Sequence, residues 1–267
     1  MHSRDPGSCP PQAPSALATS PVDPLQHGLA LFHAAEPDFK RAAGWFHAAA
    51  GAGDRDGMAM LGLCYLEGLG LGSDPVQARE LLERAASRGS VIGRFQLGRV
   101  LVTGRGGPAD EARGFSAYVA AAAMGHAEAS FNLANCLHAG VGCLPDRLAA
   151  KALYLRSRKL GCALSPNGVR VRRHELKAVR TLAQRFADPN RLIFLMRERQ
   201  QQLALMQALT QPALPGARHG RVAEMPVQRR WRQAGRLAVG VVAAMAGTLG
   251  QYLRPRRHDA GPTTLNF

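Results

Sequence analysis

The stretch LGLCYLEGLG, residues 61–70, decides the fold because its Leu-Gly pair and its Gly-x-Gly turn recur every 36 residues. The Leu-Gly positions are Leu61-Gly62, Leu97-Gly98 and Leu133-Ala134, and the turns are 68–70, 104–106 and 140–142. A fixed period of this length is typical of a solenoid of stacked helical hairpins. The sequence therefore predicts an all-α protein in which each repeat contributes two helices.

Each repeat carries the same signals for the ends of its helices. In the first complete repeat we expect helix A from about 57 to 67, ending at Gly68. Asp74-Pro75 then begins helix B with an N-capping aspartate and a proline at the first helical position. Gly89 ends helix B, since glycine readily adopts the left-handed conformation found there. Because one such hairpin cannot bury its apolar face alone, the repeats are expected to stack.

These residues resemble a known repeat family. The pattern Leu-Gly-x-x-Tyr-x-x-Gly-x-Gly of residues 61–70, followed by Asp74, Ala78, Ala85-Ala86 and Gly89, is similar to the Sel1-like repeat, a relative of the tetratricopeptide repeat. The resemblance covers residues 38–162 and departs from the pattern where Leu101 and Leu137 replace the tyrosine. It implies an alpha-alpha solenoid that acts as a non-enzymatic scaffold or adaptor for protein–protein contacts, with no catalytic residues to transfer.

Composition and period together divide the chain into seven segments. They are a disordered Pro/Ser/Ala-rich tail (1–23), a degenerate N-terminal repeat (24–55), three repeats (56–162), C-terminal capping helices (163–210), a basic linker (211–233), a hydrophobic helix (234–254) and a basic disordered tail (255–267). The capping segment has apolar residues at helical spacing from about 172 to 187 and from 189 to about 209. We expect these two amphipathic helices to dock on the last repeat.

The formal net charge of +15 is concentrated in the second part of the chain. Residues 1–163 carry 16 Lys/Arg and 14 Asp/Glu, whereas residues 164–267 carry 18 and 5. This asymmetry indicates an anionic partner for the basic part, or a solvated basic face. The basic run at 170–185 has no interleaved aromatic residues for base stacking, which argues against nucleic acid and favours attraction to anionic lipid. The alternative function is a soluble regulatory scaffold whose basic C-terminal part contacts nucleic acid or an acidic protein.

Residues 237–253 form an uncharged segment with arginines on both sides, and they are a candidate membrane helix. A helix of this length spans about 25 Å, slightly less than a hydrocarbon core of about 30 Å. Leu237, Val241, Val242, Met245, Leu249, Tyr252 and Leu253 share one side and are expected to contact lipid. A helix packed on the solenoid and a helix lying on the membrane surface are the alternatives.

Other residue classes indicate neither catalysis nor a bound group. The five cysteines lack a disulfide framework, so we predict that they are small buried apolar residues in a reducing, cytoplasmic compartment. The string at 68–72 lacks the Lys-Ser/Thr of a phosphate-binding loop, and the nine histidines have no metal-ligand spacing. No nucleophile lies in a recognisable motif. The sequence predicts no enzyme, no cofactor and no metal.

Binding specificity in a repeat protein is expected where the chemistry changes between repeats. We call a set of equivalent positions in successive repeats a phase. Three phases of helix A that change in this way lie at i, i+3 and i+7 and therefore share one face. We call the following residues the helix-A stripe: Met60, Leu63, Glu67, Gln96, Arg99, Thr103, Asn132 and Asn135. The stripe is predicted to line a concave groove that binds a protein or peptide. The alternative is that these are solvent positions that tolerate change.

Overall fold

The computed structural model describes residues 23–166 and 169–210, and this part of the chain contains helices but no strand. The helices are α1 (Pro24–Phe32), α2 (Phe39–Gly51), α3 (Arg55–Glu67), α4 (Pro75–Ser87), α5 (Val91–Thr103), α6 (Glu111–Ala123), α7 (Ala127–Ala139), α8 (Arg147–Lys159), α9 (Leu176–Arg185) and α10 (Pro189–Thr210), with a 3-10 turn at Arg173–Glu175. Helix A of the first complete repeat thus begins two residues before its expected start. The predicted all-α fold class is confirmed.

The first eight helices form four antiparallel hairpins that stack in chain order. These hairpins are the first to fourth repeats, and the first of them is the degenerate repeat. Helices α1, α3, α5 and α7 are the A helices, and α2, α4, α6 and α8 are the B helices. Each B helix packs against its own A helix, and α2, α4 and α6 also pack against the A helix of the next repeat. In addition, α3 packs on α5, and α8 packs on α9. The A helices α3, α5 and α7 have most of their residues buried, while the B helices keep one exposed face. This arrangement is the predicted solenoid.

The helix ends repeat as the sequence predicts. An aspartate at one phase caps every B helix, and Asp74 Oδ1 accepts from the backbone N–H groups of Val76 and Gln77 at 3.0 Å. The other members of this phase are Asp38, Asp110 and Asp146. Each complete A helix ends at a glycine in the left-handed conformation, as Gly68 does with φ 71°. These caps satisfy backbone groups that a helix leaves unpaired at its ends.

The second glycine of each turn has a tertiary role. A Cβ atom at Gly106 would overlap the carbonyl oxygen of Pro75, the first residue of the preceding B helix. The same overlap relates Gly70 to Phe39 and Gly142 to Glu111. Since all three glycines also have positive φ, between 66° and 74°, each turn approaches its neighbour closely only because glycine has no side chain.

Helices α9 and α10 lie on the B helices of the last two repeats. α9 packs on α8, whereas α10 reaches back to α6 in the preceding repeat. Gln200 Nε2 donates to the carbonyl oxygen of Ala112 at 2.9 Å, and Arg199 Nη2 lies 2.6 Å from Asp146 Oδ2. The contact of α10 with α6 adds to the expected docking on the last repeat. The division of the chain into domains stays a prediction.

Several sequence predictions lie outside the described residues. They concern the tail at 1–22, the linker at 211–233, the segment at 237–253 and the basic tail at 255–267. Within the part of the chain that the structure describes, no helix combines the length and apolarity needed to cross a bilayer.

The cysteines of the described residues are Cys64, Cys136, Cys143 and Cys162, and all four are buried free thiols. Burial raises the pKa of Cys64 and of Cys143 to about 12. Because a thiol with such a pKa stays protonated, these residues act as small apolar packing groups, as predicted.

Candidate protein-binding surface

The structure divides the helix-A stripe by burial. Met60, Leu63 and Gln96 are buried at 0%, 4% and 1% exposure, so their side chains do not reach a partner on the surface. Thr103 is exposed, and its hydroxyl donates to the carbonyl oxygen of Arg99 at 2.6 Å. The half-buried members are Glu67, Arg99, Asn132 and Asn135. The surface available for contact is therefore narrower than the predicted stripe.

A charged network joins the second and third repeats along this stripe. The Glu67 carboxylate accepts from Arg99 Nη2 at 3.1 Å and from Arg105 Nη1 at 3.0 Å. Arg99 Nη1 also donates to the buried Gln96 Oε1 at 2.7 Å, and Arg105 donates to the carbonyl oxygen of Leu66. One carboxylate thus lies between two guanidinium groups, which leaves this part of the surface with one net positive charge.

The fourth repeat continues the stripe with neutral groups. The Tyr154 hydroxyl donates to Asn135 Oδ1 at 2.6 Å, and Tyr118 occupies the same phase of the preceding B helix. Burial raises the pKa of Tyr154 to about 12 and that of Tyr118 well above its usual range. Both hydroxyls therefore stay protonated at neutral pH. Tyr154 of the last B helix thus holds the side chain of Asn135 in place.

Three of these residues were not among the predicted site residues. Arg105 occupies the phase of Leu69 and Val141, so the same comparison of phases, extended from helix A into the turn, would have found it. Tyr118 and Tyr154 occupy the phase of Leu82 on helix B. No signal in the sequence links that phase to the stripe, because the hydroxyl contacts depend on how neighbouring helices pack.

A buried histidine, His126, lies where the third repeat packs against the fourth. His126 caps α7 at the phase where Asp54 and Ser90 cap α3 and α5, and its Nδ1 accepts from the backbone N–H of Ala129 at 3.2 Å. Its ring stacks on Phe95 with 4.4 Å between centroids. Burial lowers the pKa of His126 to about 4, against an opposing effect of Glu128. The ring is therefore neutral at pH 7, and its 3.3 Å approach to Glu128 is not an ion pair.

The comparisons with known proteins place this chain in one family. The model of the family described as "Sel1 repeat" matches residues 25–54, 55–90, 92–126 and 127–162, just over half of the 267 residues. The segment at 24–55, interpreted from the sequence as a degenerate repeat, is thus matched by the same family model as the three complete repeats. No curated protein matches the chain.

Two solved structures are similar to this chain. One is a Sel1 repeat protein from Oxalobacter formigenes, with 25% identity and a TM-score of 0.47 over 60% of this chain and 71% of that one. The other is c5321, a protective antigen of uropathogenic Escherichia coli strains with an SLR fold, at 19% identity and a TM-score of 0.32 over 74% of this chain and 50% of that one. The four matched repeats coincide with the four hairpins of the structure. The chain therefore belongs to the Sel1 repeat family.

Proposed function

We propose that this protein is a non-enzymatic adaptor that binds a protein or peptide partner along the exposed part of the helix-A stripe. Sel1 repeat proteins are generally protein-interaction scaffolds. The observation that carries the proposal is the Arg99–Glu67–Arg105 network, in which three charged side chains meet on a surface where other repeats have neutral groups.

The two arginines retain capacity for a partner. The side chain of Arg99 is 21% exposed and that of Arg105 is 38% exposed. A guanidinium group has five N–H donors in a planar fork, and the hydrogen bonds given above use two donors of each arginine. The remaining donors suit a carboxylate or a backbone carbonyl of a bound protein segment.

The asparagines extend the proposed surface into the fourth repeat. The side-chain carbonyl oxygen of Asn135 accepts a hydrogen bond from Tyr154. This bond also fixes the direction in which the amide nitrogen of Asn135 points. A carboxamide offers both donors and acceptors and therefore suits the backbone of an extended peptide. Because Tyr154 fixes the side chain of Asn135 before binding, that side chain loses little conformational entropy on contact.

The test compares proteins captured by the tagged full-length chain and by two variants of matched composition. Arg105→Ala with Asn135→Ala changes the proposed surface, whereas Arg84→Ala with Gln77→Ala changes exposed residues of α4. We expect quantitative mass spectrometry to find partners that the first variant loses and the second retains. Identical partner sets at unchanged melting temperatures would show that the proposed surface does not bind.

A tether at residues 237–253 is a separate proposal that rests on sequence. Its support is the absence of charge across the segment and the arginines that flank it. Cell fractionation of the tagged full-length chain and of residues 1–228 tests it. We expect the full-length chain in the membrane fraction and the shorter one outside it, and the tether is wrong if neither chain is found with membranes.

A further inference from the structure

A groove of about 500 Å³ lies between α8 and α9, away from the helix-A stripe. Its apolar lining comes from Leu148, Ala178 and Leu182. Its ionisable lining comes from His174, Lys177 and Arg185. Leu148 is 37% exposed, so part of its side chain is accessible to a bound group. The groove thus combines an apolar surface with two permanent cations.

The groove carries a positive charge that its own acidic neighbours do not offset. Glu175 is the one acidic residue between 170 and 185. Its carboxylate accepts from Lys151 Nζ at 2.7 Å and from the backbone N–H of Arg172 at 2.8 Å. The next acidic residue, Asp188, lies 3.5 Å from Arg191. The carboxylates near α9 are therefore engaged by other groups and leave Lys177 and Arg185 available to an anion.

The remaining parts of the chain do not offer an acidic segment that would fit. Residues 211–267 carry nine Lys/Arg and two Asp/Glu, and residues 1–22 carry one of each. Charge complementarity therefore favours a different molecule over this chain's own ends. Among the lining residues no phenylalanine, tyrosine or tryptophan offers a broad platform on which nucleic acid bases could stack, and His174 is the one aromatic ring. Since the apolar groups line a concave groove, they suit an inserted side chain better than a flat lipid surface.

We propose that the groove between α8 and α9 binds an acidic segment of a protein partner, with an apolar side chain inserted against Leu148, Ala178 and Leu182. Acidic side chains of that segment pair with Lys177 and Arg185. This second site would let the protein hold two partners at once, one on the helix-A stripe and one at the C-terminal helices. The proposal does not depend on the function proposed for the stripe.

The test uses fluorescence anisotropy with the full-length protein and a labelled peptide in which leucines stand among glutamates. At about 0.15 M salt, where charges are screened beyond about 8 Å, distant cations contribute little to binding. Lys177→Glu with Arg185→Glu alters the groove, and Arg173→Glu with Arg180→Glu makes the same change of charge at exposed residues outside the lining. Ala178→Trp fills the groove without changing charge.

We expect the groove double variant to weaken peptide binding by at least about tenfold and the control double variant by less than about threefold. Ala178→Trp should also weaken binding, with its melting temperature unchanged because Ala178 is exposed. Equal weakening by the two double variants would overturn the proposal. It would also be overturned by equal binding of a peptide with serine in place of leucine, by tighter binding of a single-stranded oligonucleotide or of anionic vesicles, or by no peptide binding at all.

Discussion

The glycines of the turns and the charged side chains of Glu67, Arg99 and Arg105 lie within a few residues of each other and follow opposite rules. In the turn of the third repeat, Gly106 contacts the backbone of the preceding B helix, whereas its neighbour Arg105 pairs with Glu67 of another repeat. The glycine recurs in every complete repeat, while the phase of Arg105 changes from leucine to arginine to valine. A position where two backbones approach closely therefore accepts glycine alone. A position whose side chain contacts other side chains can differ between repeats when those neighbours differ too.

The largest expected effect comes from filling a turn. Gly106→Ala combines a Cβ overlap with Pro75 and an unfavourable positive φ of 74°, so it should destabilise the fold by about 2–5 kcal/mol. Gly72→Ala is the matched control, because nothing lies within 4 Å of its added Cβ, and it should change stability by less than about 1 kcal/mol. Urea unfolding measures both. Similar free energies of unfolding for the two variants would contradict the role of the close contact.

The cap of α7 is expected to make stability depend on pH. The pKa of His126 is lowered to about 4 in the folded chain from 6.5, so below pH 6.5 the unfolded chain binds more protons. The neutral His126 ring therefore contributes its full share of stability above pH 6.5. As the pH falls towards 4, the free energy of unfolding decreases by about 1–3 kcal/mol. Urea unfolding at several pH values measures it.

His126→Ser removes this titration while keeping a capping hydroxyl of the kind that Ser90 supplies. We therefore expect the variant to lose part of the pH dependence between 6.5 and 4, although it also loses the stacking on Phe95. His138→Ser alters an exposed histidine of the same helix and should keep the wild-type pH dependence. A pH dependence that survives His126→Ser unchanged would assign it to other groups.

The charged part of the stripe should give a smaller effect. Glu67→Ala leaves Arg99 and Arg105 without their shared carboxylate, and we expect a loss of about 1 kcal/mol, because these groups are half-buried. Glu80→Ala, at an exposed position of α4, should change stability by less than about 0.5 kcal/mol. A double-mutant cycle between Glu67→Ala and Arg105→Ala measures the coupling, and additive effects would show that the network is not energetically coupled.

The neutral part of the stripe should give the smallest effect. Tyr154→Phe removes the 2.6 Å hydrogen bond to Asn135 and should destabilise the chain by about 0.5–1 kcal/mol. Adding Asn135→Ala to this variant should cost little more, since the bond is already lost. Thermal unfolding of the single and double variants checks this. A full additional loss in the double variant would mean that Asn135 is stabilised by something other than Tyr154.

Residue periodicity was sufficient to predict the hairpins because the caps and turns are local. Asp74-Pro75 and Gly68 act within a few residues, and the structure has the expected ends there. The stripe was harder to predict because helical spacing tells which residues share a face but not what covers that face. Met60 and Gln96 lie on the predicted face and are nevertheless buried, because neighbouring helices cover the A helices.

The sequence by itself determined the period, the caps and turns of the repeats, the family and the separation of a nearly neutral array from a basic C-terminal part. Each of these follows from residue type and local spacing. Only the tertiary structure decided that α10 reaches back to α6, that Tyr154 holds Asn135, and that a basic groove lies between α8 and α9. These features join residues that are far apart in the chain. They depend on how the helices pack against one another, which no local sequence pattern encodes.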